Sequence, residues 1–327
     1  MKKNLFTLAV LLMMLAAPMM AQPQDQVFRM LSMVKKSQPV DVYATKLDSI
    51  CIVSRDESPL EKIIFEYDDA GRVNSEHHLA FCESMADFIS TEKHLFFYGD
   101  DGMLLKDEYY RFMGDDFMRM AAWQVTEVDA TTGLPQAVIY SERSMNLMLR
   151  NLQPVMKISA NKYCRDHLED SDIYVWQSGE WLPAGSAHED YDNHENKIGE
   201  TVVLSGNISG AGMDYEEIVT YEYDHRQNMT RKTDEKKHKG QLYSQTETLY
   251  ENHYDSADRL SEVLTIGDGE LPTVGFYYWN DGTTTLVTAL PRAFASGGGF
   301  VDLNGRRHSA APSRRGLYIV GGRNVAY

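Results

Sequence analysis

The chain is short of cysteine and of basic charge. Its three Cys leave at least one thiol unpaired in any disulfide scheme. Lys and Arg number 32 against 48 Asp and Glu, a formal charge of −16. A phosphate-backbone binder needs a basic face, so nucleic acid is not an expected partner. Beyond residue 21 there is no long hydrophobic run, and the mean hydropathy of −0.41 argues against a multi-span membrane protein. The G-x-S-x-G, P-loop, dinucleotide, H-E-x-x-H and C-x-x-C patterns are all missing, which removes the commonest catalytic and metal signatures. What is present is enough apolar material for a core: 43% of the 327 residues are hydrophobic. Tyr (19) outnumbers Phe (12), which suits strands with polar-tipped faces.

Both ends carry address-like segments. Lys2 and Lys3 precede an apolar run from Leu5 to Ala17, and a small-residue exit ends at Ala21. That is the anatomy of a secretory signal peptide over residues 1–21, cleaved after Ala21. Residues 22–44 form a lead segment. At the other end, Ala295-Ser296-Gly297-Gly298-Gly299 marks a flexible linker over 291–300. Charge divides at the same seam: residues 22–290 carry −23 and residues 291–327 carry +5. Within the tail, Asn304-Gly305 and Gly321-Gly322 are turn signals beside short apolar strands, so residues 301–327 are expected as hairpins.

Between these ends the sequence repeats. Copies of an aromatic-plus-Asp turn occur at Phe65 to Val73, Phe96 to Leu104, Thr126 to Leu134, Glu189 to Ile198, Tyr221 to Met229 and Asn252 to Leu260. Tyr277-Tyr278-Trp279-Asn280-Asp281-Gly282-Thr283 is a closing variant. The anchors fall at 67, 98, 128, 191, 223 and 254. The period is therefore about 31 residues, with one signature lost near 160. Alternation at Ile63, Phe65 and Tyr67 marks a strand. Asp opens each turn, and Gly or Asn further on tolerates positive φ. A second turn lies midway in each unit, at Arg55 to Pro59, Gly114 to Asp116, Gln177 to Glu180 and Lys237 to Gly240. Each unit thus predicts two strands. The expected fold over 45–290 is all-β: an antiparallel meander of 14 to 16 strands in an elongated, curled or twisted sheet. One segment breaks the rhythm. Met145, Met148, Leu149 and Leu152 have helical spacing and Pro154 follows as a stop, so 143–152 reads either as a short helix or as an irregular strand.

The Tyr-x-Tyr-Asp-x-x-Gly-Arg-Leu signature, closest at Tyr67 to Val73 and Tyr254 to Leu260, resembles the YD repeats of RHS-type proteins. It is most similar to secreted Bacteroidetes proteins built from YD-like repeats. RHS shells enclose a C-terminal toxin; this chain has no toxin domain, so the encapsulating role does not carry over. Val301 to Arg307 followed by Gly316 to Arg323 resembles the C-terminal sorting segment of type IX secretion. That resemblance implies the secretion machinery as a partner of the tail.

Candidate chemistry is sparse. Cys51 and Cys82 lie 31 residues apart on equivalent strands with one strand between them. Two strand spacings exceed the disulfide reach of about 7 Å, so no bridge is expected. Cys164 sits near His167, Asp166 and Glu169, where a nucleophile and a spare thiol are both readings. His77 and His78 are adjacent and must face opposite sides of a strand, which makes them a poor metal pair. Asp68-Asp69, Asp100-Asp101, Asp115-Asp116 and Glu169-Asp170 offer oxygens that calcium could use, but without a D-x-D-x-D-G loop they read as solvated turn tips. No metal, cofactor or catalytic constellation is expected. For glycoside hydrolysis two carboxylates must stand about 5–10 Å apart, and no pair is marked above the rest. The ligand-binding candidates are Trp176, Trp181, Tyr277, Tyr278 and Trp279, as a stacking surface for a glycan or another cell-surface polymer. The expectation is an exported, non-catalytic repeat protein, secreted or at the cell surface and without a membrane span after signal cleavage. It is adhesin-like or glycan-binding. The alternatives are a polysaccharide-directed hydrolase using acids on the sheet face, and a structural envelope component.

Overall fold

The computed structural model describes residues 23–33, 45–143, 151–205 and 214–280, together with four short strands within 300–326. One helix, α1 (Pro23–Met33), precedes the sheet. The first eight strands are β1 (Lys46–Ser54), β2 (Pro59–Tyr67), β3 (Val73–Cys82), β4 (Asp87–Tyr98), β5 (Leu104–Phe112), β6 (Phe117–Val128), β7 (Pro135–Arg143) and β8 (Leu152–Cys164). The second eight are β9 (His167–Gln177), β10 (Glu180–Tyr191), β11 (Lys197–Leu204), β12 (Tyr215–Tyr223), β13 (Met229–His238), β14 (Gln241–Tyr254), β15 (Leu260–Gly267) and β16 (Thr273–Asn280). Each strand pairs antiparallel with its sequence neighbour, and β1 pairs with β16 from Lys46↔Asn280 to Ser54↔Thr273. The expected meander therefore curls until it closes into a barrel of sixteen strands. Closure removes the unpaired edges that an open sheet of this length would expose.

The anchors of the repeat sit where even-numbered strands end, and their physical role is visible there. Tyr67, Tyr98 and Tyr223 each donate a hydroxyl hydrogen bond of 2.7 Å to the first residues of the preceding strand, at the carbonyls of Leu47, Val73 and Lys197. Trp279 makes the equivalent bond to the Leu260 carbonyl at 2.7 Å, so the closing variant is a working copy. The lost signature near 160 is Tyr163, whose hydroxyl bonds the Pro135 carbonyl. It is hard to see in sequence because Arg165-Asp166 replaces the longer turn.

An Asp closes four of the turns in the same way, and Gly99 takes its place after Tyr98. In Asp68, Asp192, Asp224 and Asp255 the backbone N–H donates to the carbonyl four residues on, and the carboxylate accepts the N–H of that same residue. Side-chain bonds from Arg259 and Asn196 hold the carboxyls of Asp255 and Asp192 below their ordinary range. The fourth turn position has positive φ, which Gly71 (81°) adopts freely. Glu195 (69°), Gln227 (64°) and Asp258 (64°) adopt it without glycine.

A ring of sixteen strands is too wide for its own side chains to fill. α1 supplies the filler. Pro23 opens it and Asp25 sits in its first turn, both favourable at a helix start. Val27, Met30, Leu31 and Met33 are buried against Trp123, Val138, Tyr140, Met156, Ile158, Leu168, Ile173, Val202 and Leu204. The helix touches β6, β7, β8 and β11, and Arg29 reaches Asp107 on β5 and His94 on β4. An eleven-residue helix can meet strands spread over half a ring only from inside it, so α1 lies in the lumen. This defines the two faces. The row Asp107–Trp123–Tyr140–Met156–Val175 points inward, as does Ile158–Ile173–Gly185–Leu204–Tyr215. The alternate residues point outward, and they include Lys62, Lys93, Lys106, Lys157, Asp172, Glu216, Glu235, Lys237 and Glu262.

Two expectations change. The lead segment holds a helix, signalled by the spacing of Val27, Met30 and Leu31 after Pro23. The helix reading of 143–152 does not hold at the segment's ends: Arg143 pairs with Leu152, and Pro154 pairs with Ser141 inside the β7–β8 ladder. Residues 144–150 of that segment, like residues 1–21, lie outside the described residues. In the tail, strands Phe300–Asp302, Arg307–His308, Leu317–Val320 and Arg323–Ala326 make one four-stranded antiparallel sheet. All three cysteines are free thiols.

Candidate functional site

Two constellations stand out, one inside the barrel and one on its wall. The inner one is an ionic chain across β2 to β5. His78 on β3 bonds Glu61 of β2 through Nδ1 (2.5 Å) and Glu76 through Nε2 (2.7 Å). These two bonds raise its pKa to about 9. Burial pushes Glu76 up, but the His78 bond and the positive charges of His94 and Arg29 outweigh that and hold it down. His94 on β4 bonds Asp107 Oδ1 at 2.8 Å. Arg29 of α1 bonds Asp107 Oδ2 through Nε (2.8 Å) and a terminal nitrogen (2.5 Å). The Arg29 guanidinium also lies over the rings of Phe96 and Trp123, at 5.9 and 5.8 Å. Both nitrogens of His78 are occupied by carboxylates, so it has no lone pair for a substrate. The chain braces the helix in the lumen. Sequence reasoning rightly separated His77 from His78, since His78 points inward while His77 stacks edge-on against Phe117. It missed Arg29, Glu61, Glu76, His94 and Asp107, because cross-strand neighbours are far apart in the chain.

A second inner cluster joins β10 to β12. Lys197 bonds Glu189 at 3.0 Å and also Glu200, while Tyr221 donates to Glu200. Burial pushes Glu189 up despite Lys197 beside it. This too is internal bracing.

On the outer wall, the β9–β10 hairpin turns through Ser178 (φ 51°) and Gly179 (φ 90°). Two consecutive left-handed residues are the tight connection that matches strand twist. The turn places Trp176 directly opposite Trp181, edge to face with ring centroids 4.9 Å apart. Trp176 retains 36% exposure. Lys157 of β8 reaches over Tyr174 (4.7 Å) and Trp181 (5.7 Å). The result is a rigid aromatic patch with a cation beside it, open to solvent.

The other three candidates are elsewhere. β16 is six strands from β10 around the ring. There Tyr277 faces inward opposite Ile50, and Tyr278 faces outward opposite Ser49. Burial drives the Tyr278 phenol well above its ordinary range. Trp279 spends its N–H on the Leu260 carbonyl. The five residues are therefore one pair on the wall and three side chains of β16, of which Tyr277 and Trp279 share the inner face and Tyr278 the outer, because successive strand residues alternate faces.

No protein-family model matches the chain. No curated protein matches it. Among solved structures it is similar to a porin-like protein from Bacteroides uniformis: 11% identity, 73% of this chain and 100% of that one, TM-score 0.41. It is also similar to a Bacteroides fragilis protein of unknown function: 12% identity, 42% and 95% coverage, TM-score 0.33. A third likeness is to the Photorhabdus luminescens Tc holotoxin pore, at 13% identity, where 84% of this chain overlaps 14% of that one with TM-score 0.28. These overlaps are partial and describe backbone alone.

Other candidate chemistry is accounted for by local structure. Cys164 pairs with His167 across the β8–β9 turn, but the imidazole stacks on Tyr191 at 4.4 Å and faces Glu195 at 3.6 Å. Among the described residues no cluster of three or more His, Cys, Asp or Glu is arranged to hold a metal, and no helix is long and apolar enough to cross a membrane.

Proposed function

We propose that the chain is an exported, non-catalytic β-barrel of the cell surface or extracellular space that binds a glycan on its outer wall. The observation that carries this reading is the solvent-open Trp176–Trp181 pair, held on a tight hairpin with Tyr174 and Lys157 beside it. Aromatic rings present a flat apolar face that suits the C–H face of a sugar ring, and the neighbouring ammonium supplies a donor for its hydroxyls. The wall itself supports a water-facing role. Lys93, Lys106, Lys157 and Asp172 interrupt the outward alternation at mid-strand, where a lipid-facing barrel carries an apolar band. Export rests on the signal-like residues 1–21, and delivery on the sorting-like tail at 301–327. Affinity electrophoresis of the mature chain in soluble polysaccharides, with a reducing-end assay on the same polymers, tests both halves. Retardation without new reducing ends is the expected result. Turnover of a polysaccharide would overturn the non-catalytic reading in favour of a hydrolase.

A further inference from the structure

An opening in the wall lies around the ring from the tryptophan pair, with β11 and β12 between them. It is a groove of about 420 Å³ lined by Arg231 and Thr233 of β13, Gln245 and Glu247 of β14, and Asp268 of the β15–β16 turn. Its existence follows from strand length. β14 pairs with β15 only from Thr248↔Gly267 onward, so residues before Thr248 rise past the end of β15. There the β15–β16 turn folds against them: Asp268 N–H donates to the Glu247 carbonyl (3.1 Å), and its carboxylate accepts the Glu247 N–H (3.0 Å). Arg231 is fixed from two sides, by Glu247 (2.6 Å) and Glu222 (3.1 Å). Directly opposite Arg231 stands Leu249, an exposed apolar side chain.

The chemistry of this lining selects among ligands. One guanidinium stands among three carboxylates, Glu222, Glu247 and Asp268, so the groove does not draw an anion such as phosphate. Thr233 and Gln245 add a hydroxyl and an amide, each able to donate and accept. Charged groups already locked in place make strong, directional hydrogen bonds at little ordering cost. Leu249 adds a small apolar surface beside them. Alternating donors and acceptors next to an apolar spot complement a neutral, hydroxyl-rich ring. We infer that this groove is a second carbohydrate subsite, which takes a neutral sugar unit through its hydroxyls, separate from the Trp176–Trp181 pair. The inference rests on the glycan-binding reading and deepens it: a ligand that uses both sites is a polymer that follows the wall, not a single sugar.

The test uses the mature chain and a set of neutral oligosaccharides of two to eight units, from gluco-, manno- and xylo-series, read by microarray and then by titration calorimetry. Three proteins are compared: wild type, Thr233→Ala/Gln245→Ala and Trp176→Ala/Trp181→Ala. Thr233 and Gln245 lie on the outer wall, so an unchanged melting temperature verifies that their variant folds. Losing two polar contacts should weaken the longer ligands about tenfold. The wild-type preference for longer chains should shrink with it. If the tryptophan variant loses binding while the groove variant matches wild type at every length, the inference fails and the wall reading stands. If the groove variant loses binding and the tryptophan variant keeps it, the groove is a site and the tryptophan reading fails. If wild type binds no oligosaccharide, both fail together.

Discussion

Replacing Arg29 by methionine should unlatch the lumenal helix while keeping an unbranched apolar stem in its place. Asp107 is wholly buried and receives both Arg29 bonds; the substitution leaves it only the His94 contact. Breaking a buried pair on one side costs about 3–5 kcal/mol, because an uncompensated charge stays behind. The Arg29 side chain is 38% exposed, so solvent screens part of the pair and the lower end applies, about 3 kcal/mol. Adding Asp107→Asn removes the stranded charge, and the double variant should return to within about 1 kcal/mol of wild type. A coupling of at least about 2 kcal/mol is thus expected from the four-protein cycle. Urea unfolding of the mature chain, followed by tryptophan fluorescence, measures it; Trp123 lies beside Arg29 and reports locally. A cost below about 1 kcal/mol for Arg29→Met, or additive losses in the double variant, would refute the latch.

Three further outcomes follow from the same geometry. His78 has a folded pKa of about 9 against 6.5 when free, so its contribution is complete below about pH 6.5 and disappears as pH rises through 9. The stability gap between wild type and His78→Gln should therefore shrink by at most about 3 kcal/mol from pH 6 to pH 10; a gap independent of pH contradicts the assignment. A Cβ on Gly185 would meet the Val203 carbonyl oxygen at 1.9 Å. Gly185→Ala should cost at least about 2 kcal/mol by forcing β10 from β11, and an unchanged melting curve would show that the close approach is wrong. Gln227→Gly removes a left-handed non-glycine residue (φ 64°) and should stabilise slightly, by about 0.5 kcal/mol once the added freedom of the unfolded chain is subtracted; a clear loss would rule out that turn geometry.

Much of the architecture was legible because its signals are local. The Tyr-plus-Asp turns mark strand ends, and both halves of the signal have a bonding role: hydroxyl to carbonyl for Tyr67 and Tyr98, carboxylate to N–H for Asp68 and Asp255. Closure was not legible, since the pairing of Lys46 with Asn280 joins residues that no local pattern links. The helix at Pro23–Met33 had a readable spacing, but nothing in that spacing says the helix sits inside a ring. The candidate site divided in the same way. Trp176 and Trp181 flank a recognisable turn and meet across it, whereas Tyr277, Tyr278 and Trp279 are neighbours in sequence that strand alternation splits between the inner and outer faces, away from that pair. The groove at Arg231 could not be read at all, because it depends on β14 outlasting β15.

Glycan binding on the outer wall should depend on the Trp176–Trp181 pair. Titration calorimetry of the best-bound polysaccharide, against wild type and Trp176→Ala/Trp181→Ala, tests it most directly. Wild type should bind saturably, and the double variant should lose at least tenfold in affinity, about 1.4 kcal/mol. Equal affinity in the two proteins, or no binding to any polysaccharide, would contradict it.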